Sequence, residues 1–92
     1  MISVCMATYN GGKFIREQLE SILSQLSSDA EIVIADDGSA DDTLAVVKSI
    51  GDARLRLLPA EKHLGVIYNF ERALQASKGE IIFLADQDDV WL

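Results

Sequence analysis

Apolar and polar positions along this chain fall into alternating blocks, with short apolar runs each followed by an amphipathic stripe. "ISVCMA" predicts a first strand, and "KFIREQLESILSQL" predicts a helix with Ile15, Leu19, Ile22, Leu23 and Leu26 on one face. "EIVIA" predicts a second strand. "SADDTLAVVKSIG" then starts with a capping-box-like Ser39-x-x-Asp42, turns Leu44, Val47 and Ile50 inward, and stops near Gly51. "RLRLL" predicts a third strand closed by Pro59. A third helix, "GVIYNFERALQASKG", is expected to bury Ile67, Phe70 and Leu74 and to end at Gly79 as a C′ glycine. "EIIFLA" predicts the fourth strand.

A strand followed each time by a helix predicts α/β architecture, a Rossmann-like parallel sheet flanked by helices. The first, second and fourth strands are nearly continuous apolar runs, as expected where both faces are covered. The third alternates Arg54, Leu55, Arg56 and Leu57, as expected of a half-exposed edge strand. A sheet order of 3-2-1-4 accommodates all four and sets the topological switch between the first and fourth. Ligands of such sheets bind beyond the carboxyl ends of the strands. Four polar segments converge there: "TYN", "DDGS", "EKHLG" and "DQDD".

Composition narrows the picture. The 92 residues suit one small domain, and 49% apolar with 25% charged residues is a globular composition. The net charge of -7 disfavours nonspecific nucleic-acid binding, which needs basic side chains against phosphates. A phosphate-bearing ligand would then need a cation, backbone N–H groups or a few basic residues as intermediaries. The lone Cys5 sits in an apolar run and is expected to be a buried structural thiol. No apolar run approaches the roughly 20 residues that span a bilayer, and "MISVCMATYN" has no signal-peptide pattern.

At the rim, Asp86 and Asp88 of an extended segment point to the same side, about 7 Å apart at their Cα atoms. Such a pair suits a hard cation that also takes phosphate oxygens, Mg²⁺ or Mn²⁺. Asp89 could orient a metal-bound water or cap a helix. "ADDGSADDT" is not a calcium loop, because Gly38 comes too early and the distal Glu is missing. Of the neighbours Asp36 and Asp37, one can orient the backbone while the other meets a nucleobase N–H or a ribose hydroxyl. Tyr9 either offers an aromatic face to a ligand or packs against the helix that follows, and Thr8 and Asn10 offer hydrogen-bonding groups. "NGGK" lacks the spacing of a phosphate loop. Lys62 and His63 lie on the third rim loop; a solvated lysine is the simpler reading of the first, and a ligand role for His63 has little behind it.

Taken together, "ISVCMATYNGGKFIREQLESILSQ", "EIVIADDGSADDT", "HLGVIYNFERAL" and "GEIIFLADQDDVWL" resemble the amino-terminal part of family 2 glycosyltransferases with the GT-A fold. The "ADQDDVW" form is especially similar to bacterial polysaccharide enzymes of the rhamnosyltransferase-like kind. The resemblance implies an inverting transfer of a sugar from a nucleotide-diphospho-sugar, dTDP-rhamnose or a UDP-sugar, to a glycan or lipid-linked acceptor. It implies that Thr8, Tyr9 and Asp37 surround the base and ribose, that Asp86 lies near the ribose and metal, and that Asp88 is the principal ligand of Mg²⁺ or Mn²⁺. It further implies a cytoplasmic enzyme, open to association with the inner membrane face. Many relatives have proline where Ala7 or Thr8 stands here, and asparagine where this chain has His63.

The family's catalytic base and acceptor site follow the D-x-D, so the resemblance implies that residues 1–92 are a donor-binding part truncated after that motif. The base is then expected beyond Leu92, and the chain alone is expected to be inactive. Two other readings compete. "DQDDV" satisfies the D-x-D-x-[T/V] of haloacid dehalogenase-type phosphatases, with Asp86 as nucleophile and Asp88 as acid/base, although that motif usually follows a first strand. The third is a non-catalytic nucleotide-binding or interaction module.

Overall fold

The computed structural model describes residues 1–59 and 64–86. The elements run β1 (Ile2–Thr8), α1 (Ile15–Leu23), β2 (Glu31–Asp36), α2 (Thr43–Ile50), β3 (Leu55–Leu57), α3 (Val66–Ala76) and β4 (Ile81–Asp86). All strand pairs are parallel and the sheet order is β3-β2-β1-β4, the order expected from the apolar runs. No helix among the described residues is long and apolar enough to cross a membrane.

Alternate residues of β1 and β2 feed two separate cores, because successive side chains of a strand point to opposite faces. Val4, Met6, Ile32 and Ile34 pack with Ile15, Leu19, Ile22, Leu23 and Val47 from α1 and α2. Cys5, Val33 and Ala35 pack on the other face with Ala73 of α3. Cys5 is a buried free thiol, and burial pushes its pKa up, which suits a packing role. The α1 stripe is as expected, with Leu26 partly buried beside it. Gly51 ends α2 in the left-handed conformation at φ 67°, where glycine has no Cβ to clash.

Four expectations are corrected. On α3 the buried residues are Asn69 and Ala73, whereas Ile67 is 74% exposed, Leu74 is exposed and Phe70 is only half-buried. The helix turns its small residues to the sheet, which permits close approach to Cys5, Val33 and Ala35, and carries its large apolar stripe to one side. Secondly, among the described residues most of β4 is not covered: Ile81, Ile82, Phe83 and Leu84 are all exposed, from 41% to 58%, while Ala85 is buried in the core. They alternate between the two faces of a strand that, among the described residues, pairs only with β1.

The other two concern helix ends. α2 starts at Thr43, and the expected Ser39–Asp42 box does not form, since Asp42 makes no side-chain capping bond. Asp41 accepts the Thr43 N–H (3.0 Å) and the Thr43 hydroxyl instead, and Ser39 is drawn into the neighbouring loop. α3 ends at Ala76 with an extended Ser77. Gly79 is required for space: a Cβ there would lie 2.6 Å from Ser3 Oγ, 2.7 Å from Ser3 N and 2.9 Å from the Met1 carbonyl oxygen.

Candidate functional site

Register brings the polar segments together. Thr8 lies opposite Asp36 across the β1–β2 pair, and Ala7 lies opposite Asp86 across the β1–β4 pair. The carboxyl end of β1 is therefore flanked by Asp36 at the end of β2 and by Asp86 at the end of β4, at the crevice where those strands depart on either side of it.

Asp36 organises the β2–α2 loop. Fully buried, it accepts the Thr8 hydroxyl at 2.6 Å and the Ser39 hydroxyl at 2.6 Å through Oδ1. Through Oδ2 it accepts the Gly38 N–H (3.0 Å) and Ser39 N–H (2.7 Å). Such satisfaction is what a buried carboxylate needs. Gly38 supplies the turn at φ 79°. Of the two adjacent aspartates, Asp36 is thus the one that orients backbone.

Thr8 and Asn10, both expected to offer groups to a ligand, join the rim loops to each other. The Thr8 side chain is buried and its hydroxyl is given to Asp36, while its carbonyl accepts the Asp37 N–H at 2.9 Å. Asn10 adopts a left-handed φ of 49°, which asparagine tolerates better than most residues. Its N–H donates to Ser39 Oγ (2.9 Å) and its Oδ1 accepts the Ala40 N–H (2.8 Å). Gly12 N–H adds a bond to Asp41 Oδ2 at 3.1 Å. Hydrogen bonds from Thr43, and from the N–H groups of Thr43 and Gly12, hold the Asp41 carboxyl below the usual range against a smaller opposing effect of burial. Between these clamped loops Tyr9 stands 42% exposed at the rim.

Asp37 reaches the third rim segment. Its Oδ1 accepts the Leu64 N–H at 2.7 Å and Asn69 Nδ2 at 2.9 Å, with Gly65 N–H further off at 3.3 Å. The half-buried carboxylate so ties the end of β2 to the entrance of α3. Asn69 was missed in the sequence, where a polar residue beside an apolar stripe reads as the solvent side of a helix. Asp86 ends β4 beside Ala7 in the backbone register. Lys62, His63, Gln87, Asp88 and Asp89 lie outside the described residues. Among the described residues no group of three or more His, Cys, Asp or Glu side chains gathers as a metal site.

Comparison with known proteins decides the family. The model of the family described as "Glycosyl transferase family 2" matches residues 3–92. This chain belongs to glycosyl transferase family 2. Among relatives, it is 38% identical over 93 residues to the dTDP-rhamnosyl transferase RfbG of Shigella flexneri, covering 94% of this chain and 32% of that protein. It is 35% identical over 92 residues to WfaP of Escherichia coli, a UDP-Glc:alpha-D-GlcNAc-diphosphoundecaprenol beta-1,3-glucosyltransferase, covering 100% of this chain and 37% of that protein. Among solved structures, it resembles the mannosyltransferase PcManGT of Pyrobaculum calidifontis, in complex with GDP-Man and Mn²⁺, with a TM-score of 0.87 and 30% identity. That match covers 98% of this chain and 28% of the other.

The chain thus spans about a third of the length of the curated relatives it matches. Its four-stranded sheet is that of GT-A glycosyltransferases, and the order 3-2-1-4 is the shared core. Family 2 membership also sets the acidic segment at the end of β4 apart from a phosphatase D-x-D, which usually follows a first strand.

Proposed function

We propose that this chain is the donor-binding part of a metal-dependent, inverting glycosyltransferase of polysaccharide synthesis. The observation that carries the reading is the register at the end of β1, with Asp36 on one side and Asp86 on the other. The ends of β2 and β4, each an aspartate, meet there at a switch point, a position suited to a nucleotide. In this reading Tyr9 and Asp37 line the base and ribose, with Thr8 and Asn10 holding the loops that carry them. Asp86 is assigned to the ribose and metal, and Asp88 to the metal as its main ligand.

The donor is a dTDP- or UDP-sugar, dTDP-rhamnose among them, and the acceptor is a glycan or lipid-linked hydroxyl. Support comes from the names of RfbG and WfaP. In the reaction the acceptor oxygen bonds to the anomeric carbon as the bond from that carbon to the phosphate oxygen breaks. The nucleoside diphosphate leaves with the electron pair, and a carboxylate base outside these residues takes the acceptor proton. Asp88 with Asp86 would hold Mg²⁺ or Mn²⁺, which would supply Lewis-acid stabilisation of charge on the departing diphosphate. The work is done in the cytoplasm, at the inner face of the membrane where a lipid-linked acceptor is used.

Calorimetric titration of UDP and dTDP into the full-length protein, with and without Mn²⁺, tests this reading. Expected is binding that Mn²⁺ strengthens in the wild type but not in Asp88→Ala. Binding indifferent to Mn²⁺, with Asp88→Ala equal to wild type, would sink it.

A further inference from the structure

Asn69 occupies an unusual position for an amide. It lies on the sheet-facing side of α3, one turn before Ala73, and is fully buried. Burying an amide there costs free energy unless its groups are paired, and an aliphatic residue would incur no such cost. The pairing is one-sided: Nδ2 donates to Asp37 Oδ1 at 2.9 Å and to the Gly65 carbonyl oxygen at 2.9 Å. Oδ1 is buried with no hydrogen-bond partner among the described residues. Both neighbours are acceptors, so the nitrogen must face them, and only a side chain with two protons on one atom satisfies both. Aspartate there would oppose a carboxylate to a carboxylate, and leucine would donate nothing.

The two acceptors belong to different parts of the rim. Asp37 follows β2, whereas Gly65, at φ 92°, is the residue on which α3 begins. The Leu64 N–H grips the same Oδ1 at 2.7 Å, and the Gly65 N–H spans Oδ1 (3.3 Å) and Oδ2 (3.4 Å) more weakly, so the carboxylate is held from more than one direction. Holding one oxygen twice fixes the plane of the carboxylate, not only its place. That is the requirement for a group that must present an acceptor along one direction to a planar base.

We infer that Asn69 is a positioning residue for donor recognition: it sets the orientation of the Asp37 carboxylate toward the imide N–H that uracil and thymine share. This rests on the reading of Asp37 as a base-contacting residue. Asn69 itself touches no ligand and acts through Asp37. Its loss therefore weakens binding only as far as the base N–H contributes.

The test is calorimetry on the full-length protein with two probes, UDP and its N3-methyluridine analogue, which lacks that N–H. Thermal melting is measured alongside. Wild type should bind UDP more tightly than the analogue. Asn69→Leu, which donates no hydrogen bond, and Asn69→Asp should each lose about tenfold in UDP affinity, as for a hydrogen bond to a charged group. Their affinity for the analogue should stay within about twofold of wild type. If Asn69→Asp fails to fold, Asn69→Leu carries the comparison alone. Equal losses for both probes, or a lowered melting temperature with UDP affinity unchanged, would make Asn69 merely structural and overturn the inference. Wild type that binds both probes equally refutes base contact by Asp37 itself, a failure seen before any variant is made.

Discussion

Glu31, at the start of β2, gathers the polar groups at the end of the sheet opposite the rim. Only 5% exposed, it accepts the Ser3 hydroxyl (2.6 Å), the Lys78 N–H (2.6 Å) and Arg56 Nη1 (2.7 Å). Arg56 also donates to the Ala76 carbonyl at 2.8 Å, so one carboxylate ties β1, β3 and the exit of α3 together. Replacing Glu31 by Gln removes charge-assisted bonds and should cost about 2 kcal/mol in denaturant unfolding. Burial pushes its carboxyl up, but the bonds from Ser3, Lys78 and Arg56 outweigh that and hold it below its ordinary value. Asp52 is held down to about 2 from its ordinary 3.8 by Arg54, whose guanidinium also caps α1 at the Leu23 and Leu26 carbonyls. Both carboxyls are depressed on folding, so their contribution is complete above the unfolded values and is lost as pH falls through the folded ones. Stability should hold down to about pH 4 and then decline toward pH 2, and Asp52→Asn should flatten the lower part of that decline. A flat profile in wild type would contradict the assignment.

The helices show which features a residue pattern carries and which it does not. The α1 stripe from Ile15 to Leu23 was readable because one helix face meets one continuous core, and that face is apolar at every position but Gln18. The α3 stripe misleads because tertiary contacts decide its rotation: Asn69 is drawn to Asp37, and Ala73 sits against Cys5, Val33 and Ala35. No local rule ranks an asparagine and an alanine above isoleucine and leucine as the buried face. Ile67→Ser should therefore shift the stability of this chain by no more than about 0.5 kcal/mol. Ala73→Leu should cost about 1–3 kcal/mol through overpacking. The opposite ranking by denaturant unfolding would restore the expected face. Gly79 likewise reads as a helix terminator in the sequence, while its actual role, leaving space for Ser3 and Met1, depends on contacts across more than 70 positions. Gly79→Ala should destabilise by about 1–3 kcal/mol in the same assay.

Over the whole molecule, the strand order and the placing of Asp36 and Asp86 on either side of the end of β1 are legible in the sequence, because both follow from strand–helix alternation in a parallel sheet. The division of labour within the rim is not. In the sequence Thr8 and Asn10 read as groups offered to a ligand and Ser39 as the start of a capping box, and only their partners reveal that they clamp two loops together. The exposed apolar faces of β4 are also a property of the assembled sheet. Among the described residues β4 pairs only with β1, and a hydrophobic strand with an unpaired edge promotes association, so the isolated chain should self-associate on concentration, and Leu84→Lys should reduce this in sedimentation velocity. A monomeric wild type at all concentrations would count against it. The central claim, metal-dependent transfer from a nucleotide-sugar, is tested most directly by nucleoside diphosphate release from dTDP-rhamnose and UDP-sugars in the full-length protein. With acceptor extract and Mn²⁺, turnover is predicted for at least one donor, abolished by EDTA, restored by added Mn²⁺, and lost in Asp88→Ala. Turnover that persists at the wild-type rate in EDTA and in Asp88→Ala, or no turnover of any nucleotide-sugar, would contradict the account.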